Sequence, residues 1–154
     1  MKRRSFLQGT LAGSAVAVAV GAGLLSPRQV LAAWPKGAFD AKSVEDAMNG
    51  LFGNASTTAS GNIKIKAPDI AENGAVVPVS VTTSIAGASA IAIIAEKNGT
   101  PLAANFELAA NAKGDISTRI KMSKTSDVIA VVKAGGKMYS TRKNVKVTIG
   151  GCGG

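Results

Sequence analysis

From Ile63 to Ile149 apolar residues keep returning at every second position, and this alternation constrains the fold more than any other feature of the chain. Ile63 and Ile65 alternate with Lys64 and Lys66; Val77, Val79 and Val81 alternate with Pro78, Ser80 and Thr82. Side chains of a strand point to opposite faces in turn, so a period of two gives one apolar and one wet face, the signature of half-buried β-structure. The same reading predicts strands at Ser89 to Ala95, Asn105 to Ala109, Asp115 to Met122, Asp127 to Lys133 and Met138 to Ile149. Turn residues separate them: Glu72-Asn73-Gly74, Asn98-Gly99, Lys113-Gly114 and, as the clearest hairpin, Gly135-Gly136. Seven short strands at this spacing predict an all-β fold, an immunoglobulin-like β-sandwich. Pro78 has no N–H for a ladder, which points to an edge strand or a bulge at that position.

Before the strands, Phe39 to Phe52 carries Val44, Ala47, Met48 and Leu51 at three- and four-residue spacing, which predicts one amphipathic helix over about 40–52. Ser43 is placed to cap it, with Asp46 three residues on, and Gly50 or Gly53 to end it.

The first 33 residues read differently. Lys2, Arg3 and Arg4 precede an apolar run from Leu11 to Leu25, and Ala32 and Ala33 supply small residues for cleavage. With Phe6 and Leu7, the pair Arg3 and Arg4 resembles a twin-arginine export signal, although Lys2 and Gln8 depart from the commonest flanking residues. The apolar run is about 15 residues, short of the roughly 20 that cross a bilayer, so a cleaved signal is expected rather than stable membrane insertion. The division expected is therefore a signal at 1–33, a sandwich at 34–149 and a tail at 150–154, with the mature chain in the periplasm.

Charge and composition close off several functions. Loss of Lys2, Arg3, Arg4 and Arg28 with the signal lowers the formal charge from +9 to +5. The remaining lysines are spread between apolar residues instead of clustering with aromatics, which argues against a nucleic-acid partner. With no histidine and one cysteine, the chain has no Ser-His-Asp or Cys-His arrangement and no cluster with zinc-type spacing, so neither a metal nor independent enzymatic activity is expected.

That one cysteine is Cys152, inside Gly150-Gly151-Cys152-Gly153-Gly154 directly after the last strand. Glycine lacks a Cβ and leaves φ and ψ free, so Gly150, Gly151, Gly153 and Gly154 read as a flexible arm. Three residues at up to about 3.6 Å each would carry the thiol on the order of 10 Å from Ile149. A thiolate bonds sulfur reversibly, and a carrier can borrow acid or base chemistry from the enzymes it visits. Three readings fit the tail: a covalent carrier on Cys152; a carrier of ubiquitin-like kind acting through the terminal Gly-Gly carboxylate, which export argues against because that activation needs ATP; and an exported structural or adhesion sandwich whose thiol is incidental or forms an intermolecular disulfide.

The signal, the Ala33-Trp34-Pro35 start, the stretch Thr118-Arg119-Ile120-Lys121-Met122-Ser123-Lys124-Thr125-Ser126 and above all Val147-Thr148-Ile149-Gly150-Gly151-Cys152-Gly153-Gly154 resemble the SoxY family of sulfur carriers in thiosulfate oxidation. The resemblance spans the chain and implies a sandwich paired with SoxZ as a heterodimer. It implies successive visits to the cytochrome SoxXA, the hydrolase SoxB and, in complete systems, the dehydrogenase SoxCD. Sulfur attachment carries over to Cys152 alone, with no cofactor beyond the covalent adduct; haems and metals belong to the partners.

Overall fold

The computed structural model describes residues 35–151, which belong to one compact unit. It contains two helices, α1 (Lys36–Asp40) and α2 (Val44–Phe52). Nine strands follow: β1 (Thr58–Ala59), β2 (Ile63–Lys66), β3 (Ile70–Asn73), β4 (Val77–Thr83), β5 (Ala88–Ala95), β6 (Leu102–Glu107), β7 (Asp115–Ile120), β8 (Ser126–Ala134) and β9 (Lys137–Ile149). The signal expected at 1–33 lies outside the described residues.

The strands form two sheets, and the expected sandwich is what the chain builds. One sheet runs β1-β9-β8-β5-β6, with β3 also on β9; the other runs β2-β4-β7. Between them lies a core that includes Val77, Val79, Val81, Ile91, Ile93, Val128, Val132 and Val145, the inward positions of the alternating strands. The large sheet buries its other face as well. Ala92, Ile94, Ile129 and Val131 on that side pack with Ala38, Ala47 and Met48 of the helices. This explains why Ile91 to Ala95 and Val128 to Val132 read as continuous apolar runs, as strands covered on both faces do.

The helical segment is two helices, not one. Ala41 is extended at φ −58°, ψ 144°, which ends α1. Ser43 then opens α2: its Oγ accepts the Asp46 N–H at 3.0 Å. Gly53, at φ +74°, closes it by donating its N–H to the Asn49 carbonyl at 2.8 Å. The helices approach closely at Gly50, where a Cβ would come within 3.1 Å of the Ala38 backbone.

Two strand expectations need correction. β4 is the middle strand of the small sheet rather than an edge. Pro78 is accommodated because β2 ends at Lys66 opposite Ser80, two residues short, so at Pro78 the strand has a paired neighbour only in β7, opposite Arg119. β6 begins at Leu102, three residues earlier than the alternation predicts, because Ala103 and Ala104 are small on both faces and show no contrast. The Gly135-Gly136 hairpin has φ of +56° and +77°, the backbone that the tight turn between β8 and β9 requires.

Candidate functional site: the root of the C-terminal tail

β9 is the longest strand, and its exposed edge is shared. Its start takes β1 in parallel and its end takes β3 in parallel, with Ile70 opposite Lys146, Ala71 opposite Val147 and Asn73 opposite Ile149. β3 therefore runs beside β9 up to the point where the glycine tail begins. The turn after β3 is tied by Asn73, whose Oδ1 accepts the Ala75 N–H at 2.9 Å.

Three backbone hydrogen bonds then continue past the end of β9. Gly74 N–H donates to the Ile149 carbonyl at 2.7 Å, Met122 N–H donates to the Gly74 carbonyl at 2.7 Å, and Gly151 N–H donates to the Met122 carbonyl at 2.9 Å. Tail, β3–β4 turn and β7–β8 connection are thus laced together. The lacing demands glycine for space, not for backbone angle, since none of the three glycines involved has positive φ. A Cβ on Gly74 would lie 2.2 Å from the Met122 carbonyl oxygen and 2.8 Å from the Gly151 nitrogen. One on Gly150 would lie 2.1 Å from the Ser123 carbonyl oxygen, and one on Gly151 2.7 Å from the Gly74 carbonyl oxygen.

The β7–β8 connection is itself held by Asn98, which is 8% exposed. Its Nδ2 donates to the Lys121 carbonyl at 2.8 Å, and its Oδ1 accepts the Ser123 N–H at 2.9 Å. Ser123 Oγ lies 3.2 Å from both Asn98 Oδ1 and the Lys97 carbonyl. A buried amide that uses donor and acceptor alike fixes the loop whose Met122 and Ser123 carbonyls meet the tail. Thr125 Oγ1 completes the frame by accepting the Val147 N–H at 2.9 Å.

Of the residues singled out in sequence, Cys152, Gly153 and Gly154, with Arg3 and Arg4, lie outside the described residues. Gly150 and Gly151 are described, and both are packed against the domain, Gly151 being buried. The sequence reads the arm as Gly150 onward; in the structure Gly150 approaches the Ser123 carbonyl and the Gly151 N–H is bonded to the Met122 carbonyl. The sequence alone does not mark Gly74, Asn98 or Met122 as site residues. Gly74 was visible only as a turn signal; an isolated Asn before Gly looks like any other turn.

Among the described residues there is no group of three His, Cys, Asp or Glu able to hold a metal, and no helix long and apolar enough to cross a membrane. A hollow of about 370 Å³ lined by Asn62, Lys64, Thr82 and Ser84 sits at the other end of β4 from the tail.

A family profile described as sulfur oxidation protein SoxY matches residues 48–152, so the match ends on the cysteine. The chain belongs to the SoxY family. Among solved structures it is similar to the sulfur carrier protein SoxY from Chlorobium limicola f thiosulfatophilum, at 46% identity and a TM-score of 0.64, over 70% of this chain and 97% of that one. A superoxide reductase (neelaredoxin) from Ignicoccus hospitalis matches at 18% identity and a TM-score of 0.50, over 56% of this chain and 80% of that one, a likeness of fold alone. No curated protein matches the sequence. Membership in the SoxY family makes the chain a sulfur carrier protein of the Sox system.

Proposed function

We propose that this SoxY chain is exported by the signal in its first 33 residues, works in the periplasm paired with SoxZ, and carries thiosulfate-derived sulfur covalently on Cys152. The observation that carries the reading is the position of the sole cysteine: it follows Gly151, whose N–H is bonded to the Met122 carbonyl, and it has glycine on both sides. The glycines on either side of Cys152 present no side chain that could hinder entry to a narrow cleft.

The chemistry requires little of the chain itself. The Cys152 thiolate and thiosulfate join through a new S–S bond, giving a cysteine S-thiosulfonate; the two electrons released pass to the cytochrome SoxXA. Water then cleaves the terminal S–S bond at the sulfonate sulfur under SoxB, releasing sulfate and two protons and leaving a persulfide anion on Cys152. Where SoxCD is present, the persulfide sulfur is oxidised in turn. Acid, base, metal and redox groups are contributed by those partners, which fits a chain without histidine. Gly153 and Gly154 complete the arm, and Arg3 and Arg4 serve export.

Intact mass measurement of protein isolated from cells growing on thiosulfate tests the reading. Sulfur and thiosulfonate adducts that disappear on reduction are expected, with no adduct on Cys152→Ser protein. A Cys152→Ser strain that oxidises thiosulfate normally would contradict it.

A further inference from the structure

The tail root is surrounded by charge that the fold leaves unused. Lys121 and Lys124 flank the Met122–Ser123 segment against which Gly150 and Gly151 pack, and the Lys97 carbonyl accepts from Ser123 Oγ in the same loop pair. Lys146 stands on β9 opposite Ile70. All four are exposed, and among the described residues none has a carboxylate within salt-bridge distance. The carboxylates nearby are mostly engaged elsewhere: Glu96 and Asp127 share Arg142, and Asp69 pairs with Lys143 at 3.1 Å. Glu72 on β3 is the exception, an exposed carboxylate without an ion pair among the described residues.

Apolar surface gathers at the same end. Among the described residues the exposed large hydrophobics are Ile70 at 60%, Val76 at 53% and Ile149 at 67%. Ile70 lies on β3, Val76 follows the turn after it, and Ile149 accepts the Gly74 N–H at the close of β9. Elsewhere the sandwich keeps its large apolar groups inside, so their exposure here is local to the tail root. A surface with an apolar centre beside unpaired cations has the anatomy of a transient protein interface: apolar contact holds the complex and charge steers the encounter.

Resting on the carrier reading above, we propose that Lys97, Lys121, Lys124 and Lys146, with Ile70, Val76 and Ile149, form a docking face for an acidic rim around the cleft of a protein catalyst that receives the tail. The face lies around the root of the tail, so the contact that attracts the catalyst also aligns its cleft with the thiol. Catalysts that act in turn on one arm must release it quickly, and electrostatic steering raises the association rate without a large, slowly dissociating interface.

The test uses purified carrier with its SoxZ partner as substrate for the purified thiosulfate-oxidising enzymes of the same periplasm, measuring kcat/KM for the carrier against ionic strength. K97Q/K121Q/K124Q should lower kcat/KM about tenfold at low salt, the loss shrinking as the Debye length falls below ~8 Å above physiological ionic strength. kcat at saturating carrier and the melting temperature should stay at wild-type values, because these lysines contribute only exposed side chains. A variant with the same net charge change at the far end of the sandwich, K64Q/K113Q/K137Q, should behave as wild type. Equal losses in both triple variants, a loss insensitive to salt, or a loss confined to kcat would each overturn the proposal. Cys152→Ser separates the two levels: if it turns over, the carrier reading itself fails, whereas an inactive Cys152→Ser beside an unaffected K97Q/K121Q/K124Q removes only the docking face.

Discussion

The Gly151 N–H donates to the Met122 carbonyl at 2.9 Å, which ties the residue immediately before Cys152 to the β7–β8 connection. This bond is possible because Gly74 lies between the two segments without a side chain, its own carbonyl accepting from Met122 and its N–H donating to Ile149. Chain segments far apart in sequence thereby meet beside Gly151.

Gly74→Ala should loosen this junction. The added methyl would sit 2.2 Å from the Met122 carbonyl oxygen and 2.8 Å from the Gly151 nitrogen, both backbone atoms. Relief requires moving one of the two segments, at a cost of about 1–3 kcal/mol in unfolding free energy. Hydrogen exchange of the Gly151 amide should accelerate relative to wild type, while amides of the β8–β9 ladder away from the tail keep their protection.

Asn98→Ala should act on the same loop from the other side. Removing the amide leaves the Lys121 carbonyl and the Ser123 N–H without their partner in a largely buried place. A loss of about 1–3 kcal/mol is expected in denaturant unfolding. Asn98→Asp keeps the acceptor to the Ser123 N–H but not the donor to Lys121, so it should recover only part of the loss.

Helix α2 offers a test independent of the tail. Ser43→Ala removes the acceptor for the Asp46 N–H and should cost about 1 kcal/mol, with Ser43→Asp close to wild type. Thermal unfolding followed by circular dichroism reads the difference.

The β8–β9 turn is constrained by backbone angle instead of space. Gly135 and Gly136 both have positive φ, and nothing lies within 4 Å of a Cβ at either. Gly136→Val should therefore destabilise by about 1–2 kcal/mol through strain alone, whereas Gly135→Asn, which tolerates the left-handed region, should stay near wild type in the same denaturation assay.

The sandwich was readable in the sequence wherever one face of a strand is wet, as at Ile63–Lys66 and Val77–Thr83, where lysine, serine and threonine mark the outside. It was also readable at the Gly135-Gly136 hairpin, because few backbones other than a primed turn call for two adjacent glycines between strands. β3 escaped because only Ala71 of its four residues is buried, leaving no alternation to detect. The break between α1 and α2 shows in the sequence only as the Ser43 cap, because no Gly or Pro between Phe39 and Ser43 marks the end of α1. At the tail, glycine was legible as freedom of backbone, yet at Gly150 and Gly151 the structure uses it for close approach to Ser123 and Gly74. Both needs select the same residue, and only a partner distant in sequence distinguishes them.

Mass spectrometry of the intact SoxY chain, taken before and after incubation with thiosulfate and its oxidising enzymes, addresses the sulfur chemistry most directly. The expected result is a thiosulfonate adduct, then a persulfide, both localised by peptide mapping to Cys152 and both removed by reductant. Thiosulfate turnover at the normal rate with Cys152 unmodified throughout would contradict it.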